Sequence, residues 1–202
     1  MAFKWFKKKA KVKSDTATYY VPMYYEHLTV GHWCDYHLAK TTEQKVAAAL
    51  QIDIKEAMSI DLETANKILT VFENSLTGDP KFKIAIDLGN KPHRFVPKLD
   101  AISLGEHADI VNNAKQEIIY KTLPKVLAIL YRPVTATLNN KYTVEPYDAD
   151  IHLDEERIKL FRSFPMQQAD GALAFFLTIC NELLSNLELS LAKQMKSTME
   201  EV

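Results

Sequence analysis

Lys81-Phe82-Lys83-Ile84-Ala85-Ile86-Asp87-Leu88-Gly89-Asn90-Lys91-Pro92-His93-Arg94-Phe95-Val96 is the stretch in which the chain changes character. Phe82, Ile84 and Ile86 alternate with Lys83, Ala85 and Asp87, the period of two that lays one face of a strand on a core and leaves the other to water. Gly89-Asn90 supplies turn chemistry, and His93 to Val96 forms the return strand, closed by Pro97. Further on, Val134–Leu138, Asn139-Asn140 and Tyr142–Glu145 repeat the pattern as a second hairpin.

On either side the period is helical. Tyr19–Tyr25, broken by Pro22, is extended. Thr29 caps a helix from Val30 to about Lys40, and Thr42 opens another through Leu50. Asp53 caps a short turn to Met58. Asp61 caps a longer helix bearing Ala65, Ile68, Leu69, Phe72 and Leu76, with Gly78 and Pro80 as its stop. Ser103 opens a helix to about Asn113, and Ala114–Tyr131 is a further one, broken or kinked at Pro124. Asp154 caps Leu153–Phe164, and a closing helix runs from about Gln167 to Met195.

The expected fold is therefore α+β and mainly α-helical. It has two small helical lobes (residues 19–80 and 81–202), two short β-hairpins and a long C-terminal helix, behind a basic flexible arm over residues 1–18. At about 1.5 Å per residue the closing helix would reach about 40 Å, so it is either a spine across both lobes or a face for a neighbour. Phe175, Leu177 and Leu189 are its candidate partner contacts.

One local pattern occurs twice. Leu28-Thr29-Val30-Gly31-His32-Trp33-Cys34-Asp35-Tyr36 aligns without gaps on Ile102-Ser103-Leu104-Gly105-Glu106-His107-Ala108-Asp109-Ile110. Thr29 and Ser103 are the caps, and Glu106 is placed to complete a Ser-x-x-Glu capping box. A glycine inside each first turn suggests that another backbone passes close to it.

Charge is unevenly spread. Residues 1–13 hold six lysines and no acid, so the other 189 residues, with 19 basic and 26 acidic side chains, carry −7. Phe3, Lys4, Trp5, Phe6, Lys7, Lys8 and Lys9 mix aromatics with cations, which suits a protein pocket rimmed by acids, a membrane interface, or a nucleic-acid backbone held without sequence preference. A solvated terminus is the plain alternative.

No enzyme is expected. The five glycines are scattered, so no phosphate-cradling loop forms, and no Gly-x-Ser-x-Gly elbow or His-Glu-x-x-His occurs. His27, His32, Cys34, Asp35 and His37 crowd together without a second ligand pair, so neither a metal nor any cofactor is expected. Cys34 and Cys180 read as buried thiols in a reducing cytosol. No run of 18 apolar residues exists to span a membrane.

Phe95-Val96-Pro97-Lys98-Leu99-Asp100-Ala101-Ile102-Ser103-Leu104-Gly105-Glu106, then Leu130-Tyr131-Arg132-Pro133, Tyr142-Thr143-Val144-Glu145-Pro146-Tyr147 and Gly171-Ala172-Leu173-Ala174-Phe175-Phe176 form an ordered set. The set resembles a family of tailed-bacteriophage proteins from podovirus-like phages, including the crAss-like group. The resemblance covers roughly residues 82–185. It implies a virion protein made in the host cytoplasm, a subunit of a homo-oligomeric connector or tail ring touching the portal and neighbouring tail subunits. A tail or baseplate assembly chaperone outside the virion and a small DNA-binding protein using the lysine arm are the alternatives. Within the set, Arg132 is expected to bond helix-end carbonyls or to pair with Glu145 across the hairpin, and Glu145-Pro146-Tyr147 to end the strand.

Overall fold

The computed structural model describes residues 9–14, 17–96, 102–114, 119–139 and 141–178. The protein is α+β and mainly helical. Its first half carries β1 (Lys9–Lys13), β2 (Thr18–Pro22), a 3-10 turn at Tyr25–His27, α1 (Val30–Leu38), α2 (Thr42–Leu50), α3 (Ile54–Ala57) and α4 (Leu62–Glu73). The second half carries β3 (Ala85–Leu88), β4 (Lys91–Phe95), α5 (Leu104–Asn113), α6 (Ile119–Leu130), β5 (Tyr131–Leu138), β6 (Lys141–Val144), α7 (Ala149–His152) and α8 (Glu155–Arg162). Residues 166–178 are helical and are labelled α9.

Local capping sets the helix starts. Side-chain oxygens of Thr29, Thr41, Asp53, Asp61, Ser103 and Asp154 each accept a backbone N–H of the first turn that follows. Thr29 and Thr41 do so within full capping boxes, with His32 and Gln44 as the returning side chains.

Packing centres on α6, which touches α1, α5 and α8. Leu123, Val126, Leu127, Ile129 and Leu130 are fully buried, each contributing about 1.5–3 kcal/mol on an area basis. The helix continues through Pro124 without a break and passes directly into β5 at Tyr131. Pro124 thus does not break the helix, the first of the two effects expected of it.

The two expected hairpins are one sheet. β4 pairs antiparallel with β5, with Arg94 opposite Arg132, and the strand order is β3-β4-β5-β6. A third hairpin pairs β1, which lies inside the stretch expected to be a flexible arm, with β2 in the segment expected to be extended: Lys9 to Lys13 form a strand, and Val12 and Val21 are buried beneath it. Alternation of Lys, Ala, Lys, Val and Lys gives that strand an inward face, and the lysine count masked it.

The two halves of the chain are stitched together. The Val30 N–H donates to the Phe164 carbonyl at 2.9 Å and the Met166 N–H to the Leu28 carbonyl at 2.8 Å. Arg162 Nη2 meets Asp35 Oδ2 at 2.6 Å, and the Tyr25 hydroxyl donates to Asp170 at 3.0 Å. Buried apolar side chains from both halves form a single cluster. A Cβ on Gly31 would lie 3.1 Å from the Arg162 carbonyl oxygen, the close backbone approach expected there. Among the described residues nothing lies within 4 Å of a Cβ on Gly105, so there the second copy of the pattern has no such neighbour. α4 ends at Glu73, short of Gly78, whose lack of a side chain instead admits the Tyr25 ring.

Candidate functional site

The residues that carry the ordered motif set converge. Ser103 Oγ accepts the Glu106 N–H at 3.1 Å and fixes the first turn of α5. The Glu106 carboxylate turns inward and accepts a hydrogen bond from Arg132 Nη2 at 2.9 Å, with 4% of Glu106 and 5% of Arg132 exposed. Arg132 can reach it because β5 leaves the buried α6 at that point. Burial raises the Glu106 carboxyl above the usual carboxylate range, while the guanidinium pulls it back. Arg132 is lowered by the same burial and supported by Glu106.

Glu145 therefore serves a different partner from the one expected. Its Oε2 lies 3.2 Å from Arg157 Nη1 and 3.5 Å from His152 Nε2. Two residues on, the Tyr147 hydroxyl donates to Asp109 Oδ2 at 2.7 Å, closing the segment after β6 onto α5. His152 is fully buried, and that burial, assisted by the charges of Arg157 and Arg132, holds it below the usual imidazole range. Its Nδ1 lies 2.7 Å from the Asp148 carbonyl oxygen. The whole is a clamp across α5, β5, the β6–α7 connection and α8, in which carboxylates and guanidinium groups neutralise one another.

The clamp holds one side of α5, and apolar residues are exposed on the other. Leu104 is 85% exposed, and Ala108 and Val111 follow it on the outward face at spacings of four and three residues. Since Glu106 and Ile110 are its buried residues, a leucine at position 104 points away from the core. Three more large apolar residues, Ile54, Met58 and Leu62, are exposed where α3 gives way to α4. Beside it an open cleft of about 400 Å³ is lined by Asp35, Gln44, Gln51, Asp53 and neighbouring α2 residues.

Phe3, Lys4, Trp5, Phe6, Lys7 and Lys8 lie outside the described residues, as does Leu189, whereas Lys9 begins β1. Phe175 is 38% exposed, and its ring stacks on Phe82 at 4.2 Å and meets Phe95 edge-on, so much of it serves the fold. Leu177 is exposed. Thr29 and Ser103 are caps as expected. His32, on the first turn of α1, is bonded to Thr29, and burial pushes it down to about 4. His37 stacks on Tyr120. Cys34 is buried and its thiol is pushed up to about 12, which leaves almost no thiolate at neutral pH. Among the described residues, no three His, Cys, Asp or Glu side chains are grouped to hold a metal, and no helix is long and apolar enough to cross a membrane.

Sequence reasoning missed Asp109, His152, Arg157 and the exposed Leu104. The last was open to a helical wheel, since positions 104 and 106 lie on opposite sides of a helix.

No family model, curated protein or solved structure matches the chain.

Proposed function

We propose that the protein is a structural subunit of a tailed-phage particle, repeated in a ring at the portal–tail region and working by protein–protein docking. The observation that carries this reading is the outward row Leu104, Ala108 and Val111 on a helix whose opposite side is clamped by Glu106–Arg132 and Asp109–Tyr147. An apolar row on a stiff helix loses little freedom when a partner covers it, which favours association. Exposed Ile54, Met58 and Leu62 offer each copy further apolar surface away from α5, and head-to-tail contact between two different faces is what generates rings. The ordered motif set supports the assignment to phage particles, since Glu106, Arg132, Glu145 and Tyr147 all belong to it and to the clamp.

Mass spectrometry of washed particles, together with native mass measurement of the purified chain, tests the proposal. A virion component that forms a defined ring, or a stable complex with adjacent tail subunits, is the expected result. A monomer found only in the lysate, bound to no particle protein, removes it. A protein that binds tail subunits but is missing from mature particles is an assembly factor instead.

A further inference from the structure

We infer that the outer face of the β1–β2 hairpin is a binding surface for single-stranded nucleic acid. Lys9, Lys11 and Lys13 leave β1 on one side, and Lys11 and Lys13 are exposed. In the antiparallel register Tyr20 stands directly opposite Lys11, and Thr18 opposite Lys13, so all share that face. Tyr20 is 52% exposed, and Lys11 Nζ lies 5.9 Å from the centre of its ring. The reverse face carries Ala10, Val12, Tyr19 and Val21 and packs on α4 and α2, so the platform has a firm backing.

Two physical features select the partner. Alternate side chains on a strand recur about every 6.8 Å, so successive lysines stand far enough apart to meet separate phosphates. A row of cations flanking a half-exposed aromatic ring offers phosphates and bases their separate footholds, and a base can stack on Tyr20 only when it is unpaired. Lys9, Lys11 and Lys13 bring three positive charges to this strand of a chain whose formal net charge is −1. The surface therefore reads backbone and base planes, without sequence preference.

The test is fluorescence anisotropy of the full chain with a labelled single-stranded oligothymidylate over a series of salt concentrations. The parent chain binds at low salt and weakens linearly in log–log form. Changing Lys11→Gln and Lys13→Gln together makes that slope shallower by about 1.4, at about 0.7 for each phosphate no longer neutralised. Lys11→Arg with Lys13→Arg restores it. Tyr20→Leu weakens single-strand binding about tenfold with the slope unchanged and leaves duplex binding as it was. Thermal melting of each variant should match the parent. No binding at low salt, or variants that bind as the parent does, overturns the inference. So does polyglutamate competing as well as the oligonucleotide, charge for charge, which would mark the face as one for acidic protein.

Discussion

The Glu106 carboxylate and the Arg132 guanidinium, 26 residues apart, meet at 2.9 Å with almost no exposure to water. A buried pair adds little net stability when intact, because desolvating both ions offsets their attraction, yet it is costly to break. Arg132→Ala should therefore lose about 3–5 kcal/mol, and the melting temperature should fall by about 10 °C. Replacing both partners by Glu106→Leu and Arg132→Met should restore most of it. A calorimetric scan in which Arg132→Ala melts within a degree of the parent would mean that α5 is not held through this pair.

Acid should loosen the fold before the carboxylates titrate. His32, His93 and His152 are all held below their ordinary range by burial, His32 to about 4. Between pH 6.5 and 4 the folded chain thus binds fewer protons at His32 than the unfolded chain. The associated stability is complete above 6.5 and drains away as pH falls through that window. His32→Gln keeps a side chain able to complete the Thr29 capping box and should flatten the slope near pH 5 by about 1 kcal/mol per pH unit. Urea midpoints at several pH values measure it, and an unchanged slope refutes the assignment.

Two glycines should respond in opposite directions. Gly105 sits on an exposed helix with open space where a Cβ would go, so Gly105→Ala should stabilise by about 0.5–1 kcal/mol. At Gly171 the same atom would lie 2.4 Å from the Phe82 nitrogen, a backbone that cannot swing aside, and Gly171→Ala should cost about 2 kcal/mol or more. Denaturant midpoints for the pair decide the matter. Equal effects would mean that α9 does not cross close to residues 81–82.

Leu104→Asp separates docking from folding. Position 104 is the first residue of α5, where an acidic side chain is favoured by the helix dipole, so the isolated chain should melt no lower than the parent. Association through the α5 face should weaken at least tenfold, the loss of about 1.5–3 kcal/mol of covered leucine surface. Sedimentation velocity of variant and parent gives the answer, and unaltered oligomers would exclude this face.

Helix starts were legible in the sequence because a cap is a local event: Thr29, Asp53, Asp61, Ser103 and Asp154 each act within three residues of themselves. The β3–β4 turn at Gly89-Asn90 was legible for the same reason, both residues having positive φ. The clamp was not. Glu106 satisfies a capping-box pattern and Arg132 faces a plausible Glu145, and only the β4–β5 pairing decides which partner each meets. β1 was hidden by composition, since five residues with three lysines resemble a solvated tail until Val12 finds Tyr19 across the hairpin. Leu104 fits an apolar pattern that its twin Val30 fulfils in the core, and tertiary packing alone separates the two.

The bridges from Leu28 and Val30 to Met166 and Phe164 bear on how the molecule is born. A ribosome releases residue 28 long before residue 166, so α1 emerges without the segment that completes its surroundings. Closing so wide a loop is slow, although its entropic cost grows only with the logarithm of its length. Until then Leu28 and Val30 stay wet, and the growing polypeptide offers sticky surface to holding chaperones. Synthesis with rare codons placed after residue 100 should accordingly lower soluble yield more than the same codons placed before residue 28.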